Sequence, residues 1–106
     1  MTIDNKTIMQ YKHFRVFPMV AVARGTPDVR DGLTIEYNCS KDTEDKDNYI
    51  VIAFIRPDED GVCSYEPVGD RIEKYCSTWE DVQIFRMCLD VAKKEIKKAI
   101  EEENDR

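Results

Sequence analysis

Two acidic runs hold the residues best placed to do chemistry. One is Asp58, Glu59 and Asp60, set between Pro57 and Gly61. The other is Asp42, Glu44, Asp45 and Asp47 within SKDTEDKDN. Carboxylates this close together can hold a cation, meet a basic surface, or stay solvated around a turn. A helix-loop-helix calcium loop needs acids at its first, third and fifth positions, Gly at the sixth and Glu at the twelfth. Asp58, Asp60 and Gly61 supply part of that pattern. Its first position, however, falls on Arg56 and its last on Pro67, so the motif fails. As a hairpin connection the stretch works: Pro57 pre-sets φ, and Asp60-Gly61 tolerates positive φ. The 42–47 run has no glycine and carries interleaved lysines, so a solvated loop is expected rather than a calcium site.

Other chemistry finds less support. The four cysteines, Cys39, Cys63, Cys76 and Cys88, are spaced by 24, 13 and 12 residues with no C-x-x-C pair, and the single histidine is His13. That spacing does not suit zinc. An even count permits two disulfides, but each cysteine sits in an apolar or alternating stretch, so buried free thiols in a reducing compartment are expected. Cys–His nucleophilic chemistry would require His13 to meet a thiol in space. The glycines are isolated at turns, so no phosphate-cradling loop is present, and there is no G-x-S-x-G. No metal, cofactor or catalytic set is expected. Lys12, Arg15, Arg24 and Arg30, interleaved with Tyr11, Phe14 and Phe17, form the one set suited to an anionic, nucleotide-like ligand, with Arg15, Arg24 and Arg30 as its pocket. Trp79, at the start of the C-terminal helix, is either an interface anchor or a ring folded over the sheet edge.

The elements that must position these residues follow from periodicity. HFRVF (13–17) alternates, and Pro18 then suggests an edge strand or a bulge. MVAVA (19–23) continues extended, up to a turn at Gly25, Pro27 and Asp28. In LTIEYNC (33–39), Leu33, Ile35, Tyr37 and Cys39 share one face. YIVIAFI (49–55) is apolar on both faces, which suits a central strand covered on both sides. VCSYE (62–66) follows the turn, and RIEKYC (71–76) is either a fifth strand or an irregular approach to the helix.

Ser77-Thr78-Trp79-Glu80 fits a capping box, and Asp81 adds first-turn negative charge. Val82, Phe85, Leu89, Ala92, Ile96 and Ala99/Ile100 form one apolar stripe. The acids of EEENDR are unfavourable at a helix C-terminus, so fraying near residue 101 is expected. The expected fold is α+β, in a single domain: an antiparallel meander of four to five strands with one long C-terminal helix on a sheet face, and loosely ordered residues 1–10 and 101–106. One helix covers one face only, so the other is expected to be covered either by the N-terminal segment or by a second subunit, which makes a homo-oligomer such as a homo-dimer a reasonable expectation.

Strand, PDEDG, strand and STWEDVQIF resembles the partial ribonuclease-H-like module of HicB-type antitoxins. There an acidic D-x-D-G hairpin precedes a T-x-E-E-A helix start. Asp58, Asp60, Gly61, Thr78, Glu80 and Asp81 match over about 35 residues. The chain lacks the family's P-G-C stretch and its DNA-binding segment, and it has about 45 additional residues in front. The resemblance implies a protein that binds and neutralises a basic partner.

Charge points the same way. The net charge is −6: residues 1–30 carry five Lys/Arg against two Asp/Glu (+3), and residues 31–106 carry eleven against twenty (−9). Such a balance disfavours direct nucleic-acid or acidic-membrane binding and favours a basic protein surface. No apolar window is long enough to span a bilayer and the N-terminus lacks a secretory pattern, so a cytoplasmic domain is expected. The expected function is non-enzymatic: an acidic protein that inhibits or neutralises a basic-surfaced protein, as antitoxin, immunity and phage anti-defence proteins do. Its partner-binding residues would be Asp42, Glu44, Asp45, Asp47, Asp58, Glu59, Asp60 and Trp79. The alternative is an oligomeric nucleotide-sequestering protein.

Overall fold

The computed structural model describes residues 7–19, 28–40 and 48–104. Arg24, Asp42, Glu44, Asp45 and Asp47, and most of the 19–23 segment, lie outside them. The elements are β1 (Met9–Tyr11), β2 (Phe14–Pro18), β3 (Leu33–Asn38), β4 (Tyr49–Pro57), β5 (Cys63–Pro67), α1 (Arg71–Tyr75) and α2 (Trp79–Asn104), with a 3-10 turn at Val29–Asp31 before β3. The strands form one antiparallel sheet in the order β1-β2-β3-β4-β5. The α+β meander with one long C-terminal helix is therefore the fold. Among the described residues, no helix is long and apolar enough to cross a membrane.

α2 lies along one face of the sheet. Phe14 and Val16 of β2, Leu33, Ile35 and Tyr37 of β3, and Ile52, Ala53 and Ile55 of β4 pack beneath its Ile84, Phe85, Cys88, Ala92 and Ile96. The buried stripe is thus rotated from the expected one. Ile84 and Cys88 lie at its centre, while Val82 and Leu89 are half-buried on its flank. The helix also continues through Asn104 rather than fraying at 101.

Several local expectations are corrected. RIEKY is the short helix α1, not a strand. Its Arg71 donates to the Val51 carbonyl at 2.8 Å, closing the part of β4 that β5 does not reach. Pro18 lies on an interior strand, but its nitrogen is on the β1 side, and β1 pairs only as far as Met9 opposite Val16. No ladder bond is lost there. Cys39 sits exposed past the end of β3 rather than on its core face.

The two-sided apolarity of 49–55 has two sources: Val51 and Phe54 lie half-buried on the face away from α2, opposite Glu36 and Thr34, and a bulge adds to the core face. The β3–β4 register shifts at Ile35/Glu36, so β4 carries one extra residue. That bulge turns the consecutive Ile52 and Ala53 both into the core. At the other end of the sheet, Gly32 is held at φ 117°, and a Cβ there would lie 2.7 Å from the Ile55 carbonyl oxygen. Only glycine fits that approach.

Candidate functional site

The β1–β2 connection is a two-residue turn, since Tyr11 pairs with Phe14. Lys12 occupies the turn at φ 51°, a left-handed conformation that lysine adopts only under constraint. The constraint is visible. Lys12 Nζ donates to Glu80 Oε1 at 2.9 Å, and His13 Nε2 donates to Asp81 Oδ1 at 3.0 Å. Consecutive residues of a hairpin tip thereby grip consecutive acids in the first turn of α2.

The start of α2 is set by Thr78, not Ser77. Thr78 Oγ1 accepts from the Asp81 N–H at 3.1 Å. Glu80 is therefore free of capping duty and meets Lys12. Asp81 is buried and carries two loads, the cap and His13. The His13 ring lies 4.8 Å from Tyr37, edge to face, and Tyr37 stacks on Tyr75 at 5.1 Å. Burial, and then the nearby Asp81 charge, push the Tyr37 hydroxyl up to about 12.

This arrangement does not build a nucleophile. Burial, then Asp81, raises Cys76 to about 11, and burial, then Cys76, raises Cys88 to about 12. Both thiols are buried, free and held protonated at neutral pH. Among the described residues, the His13 imidazole bonds to Asp81 and to no thiol or hydroxyl. Nor do the described residues contain a group of three or more His, Cys, Asp or Glu side chains able to hold a metal ion.

Around this clamp the surface is apolar and open. Tyr11, Lys12, Glu80, Gln83, Ile84 and Met87 line a hollow of about 260 Å³. Trp79 stands at the α2 start, one helical turn before Gln83, with 76% of its surface exposed; Tyr11 is 47% and Met87 38% exposed. Trp79 is thus the projecting ring of the two alternatives, not one folded over the sheet edge.

The acidic runs part company. Consecutive connections of a meander fall at opposite ends of the strand they share, here β4, whose nine residues span about 30 Å. Ser40 and Asn48, which flank the 42–47 run, are at the Trp79 end, where the Asn38 N–H reaches the His13 carbonyl at 2.7 Å. Asp58, Glu59 and Asp60 are at the far end. Asp58 there builds the turn: its Oδ1 accepts from the Asp60 and Val62 N–H groups, both at 2.9 Å. Asp60 and Gly61 share that end with Lys97, Ile100 and Glu101 of α2. The flanks of the first run and the residues of the second therefore lie at opposite ends of the sheet.

Arg15 and Arg30 are also committed. Arg15 Nη2 lies 2.7 Å from Glu36 Oε1, with its guanidinium 4.0 Å from the centre of the Tyr49 ring. Arg30 makes a two-pronged contact with Asp28, the shorter arm at 2.6 Å. Of the cations considered for an anionic ligand, Lys12, Arg15 and Arg30 already meet a carboxylate of their own chain, while Arg24 lies outside the described residues.

The clamp was not legible beforehand, because Lys12-His13 lacks the Gly or Asn that marks a two-residue turn. No family model matches the chain, and neither a curated protein nor a solved structure does.

Proposed function

We propose that the protein is a non-enzymatic binding protein that docks on a basic-surfaced protein partner through the Trp79 end of the molecule, and so inhibits or neutralises it. The observation that carries this reading is Trp79 itself, projecting at 76% exposure from the helix start that Lys12 and His13 contact. A solvent-exposed tryptophan is costly in water and is enriched at interface hot spots. Tyr11 and Met87 extend the apolar patch around the hollow, and Glu80 stands on its rim. Ser40 and Asn48, which flank the 42–47 acidic run, lie at the same end. This narrows the epitope: Asp58, Glu59 and Asp60 fall outside it. The protonated thiols and the closed His13–Asp81 pair support a role without chemistry.

The test is affinity capture from the native host with wild type and with Trp79→Ala, at low and high salt. Recovery of a basic protein by wild type alone, weakening as salt rises, supports the proposal. Equal recovery by Trp79→Ala, or recovery indifferent to salt, removes it.

A further inference from the structure

A sheet of five strands has two edges, and here they differ. β1 is three residues long and runs straight into the Lys12 turn, a blunted edge. β5 is longer, and its protection is confined to Glu66 and Pro67 at its end. From Val62 to Pro67 it contains no lysine or arginine, and Ser64, Tyr65, Glu66 and Pro67 are all exposed.

The hydrogen-bond phase of β5 is fixed at both its ends. Asp58 N–H donates to the Val62 carbonyl at 2.9 Å, and Val68 N–H donates to the Ile52 carbonyl at 3.0 Å. The pairs Arg56↔Ser64 and Phe54↔Glu66 fall in the same phase. Residues 62, 64, 66 and 68 therefore turn their backbone groups toward β4. Cys63, Tyr65 and Pro67 turn theirs outward.

We propose that this edge binds a second copy of the chain, by antiparallel pairing of β5 with β5 about a two-fold axis at Tyr65. The register is self-complementary. Tyr65 and the second copy's Tyr65 exchange both their backbone bonds. Each Cys63 N–H donates to the other copy's Pro67 carbonyl, so the N–H that proline lacks costs only one acceptor its partner. Side chains agree as well. Tyr65 meets Tyr65, the Ser64 hydroxyl meets the Glu66 carboxylate, and Val62 meets Val68; such cross-strand pairs are the stabilising unit of a sheet. Moving the axis by one residue, to Ser64, would set the Glu66 carboxylate against Val62. Exposed apolar surface lies where the second copy would cover it: Val62 is 63% and Tyr65 46% exposed. The α2 residues on this flank, Val82 and Leu89, are also only half-buried. The two five-stranded sheets then run on as one.

The test needs no partner protein. Sedimentation of wild type should give twice the 12.4 kDa chain mass. Tyr65→Lys, which sets like charges directly opposite each other on an exposed strand, should give the single-chain mass with an unchanged circular dichroism spectrum. Tyr11→Lys, on the other edge, should stay paired. Amide exchange supplies a second readout without any substitution. Cys63 and Tyr65 amides should be protected at high protein concentration and exchange freely on dilution, while Ser64 and Glu66 stay protected throughout. A single-chain mass at every concentration, or a dimer that survives Tyr65→Lys, overturns the proposal. So does a monomer whose Cys63 and Tyr65 amides become protected only when another protein is added, because a partner's strand would then own this edge.

Discussion

His13 Nε2 stands 3.0 Å from Asp81 Oδ1 and thereby ties the tip of the β1–β2 hairpin to the first turn of α2. Asp81 also donates its own N–H to the Thr78 cap. One residue therefore serves both ends of the junction: its backbone N–H marks where the helix begins, and its buried carboxylate holds the hairpin against it. Asp81→Ala should destabilise the fold by about 2 kcal/mol, since it strands a partly buried imidazole. His13→Ala should cost about the same. The pair acts as a unit, so the double variant should cost clearly less than the sum of the single ones. Urea unfolding of the three variants measures this; strict additivity would mean that the contact carries no coupling.

Asp58 and Glu59 are adjacent, exposed and equally acidic, yet they should behave differently. Asp58 holds two backbone N–H groups of its turn. Asp58→Ala should therefore cost about 1 kcal/mol, an exposed position notwithstanding. Glu59→Ala should be neutral within about 0.5 kcal/mol. Neither should change partner binding, because both lie at the end of the sheet remote from Trp79. Loss of binding in Asp58→Ala with stability unchanged would reverse this assignment.

The buried thiols set a pH dependence. Burial raises Cys76 to about 11 and Cys88 to about 12, from an ordinary value of 9.0. Above pH 9.0 the unfolded chain releases thiol protons that the folded chain retains. Bound protons then favour the folded state less and less, and stability falls with rising pH. Their contribution is complete below 9.0 and is lost as pH climbs through 11 to 12. The buried Tyr37 hydroxyl, raised from 10.0 to about 12, adds to the decline. Urea midpoints taken through this alkaline range should drop steadily. In a native thiol titration at about pH 8 the exposed Cys39 should react first. Cys76 and Cys88 should react only on unfolding; prompt reaction of all the thiols would contradict the burial described.

Much of the fold could be read from period alone. The alternation in β3, the apolar run in β4 and the stripe in α2 each point to one element, and consecutive strands pair in sequence order. What escaped has identifiable causes. Ser77 and Thr78 are both cap-forming residues, and each is followed three positions later by an acid, Glu80 or Asp81. Local chemistry alone cannot separate the two registers, and the hairpin grip on Glu80 and Asp81 decides between them. The expected stripe omits Ile84 and Cys88, whose inclusion rotates it onto the buried face. The bulge at Ile52–Ala53 puts two consecutive residues into the core, which an alternating pattern does not anticipate. RIEKY is short, and its Asp70 cap makes no side-chain bond, so no helix-start signal marks it. The parting of the acidic runs was within reach, because neighbouring connections of a meander must lie at opposite ends. For the candidate site, Trp79 and the Thr78, Glu80 and Asp81 helix start were visible as residue types. Tyr11, Met87 and the Lys12-His13 turn became part of it only through tertiary packing.

The central claim is that Trp79, with Tyr11 and Met87 around the adjoining hollow, is the surface through which this acidic chain meets a basic protein. The most direct measurement is the dissociation constant for the captured partner with wild type and Trp79→Ala, from about 50 mM to about 500 mM salt. The account predicts that Trp79→Ala weakens binding at least about 30-fold, as loss of a hot-spot anchor does. It also predicts that wild-type affinity declines steadily as salt rises. A partner bound equally tightly by both chains, with no response to salt, would contradict it.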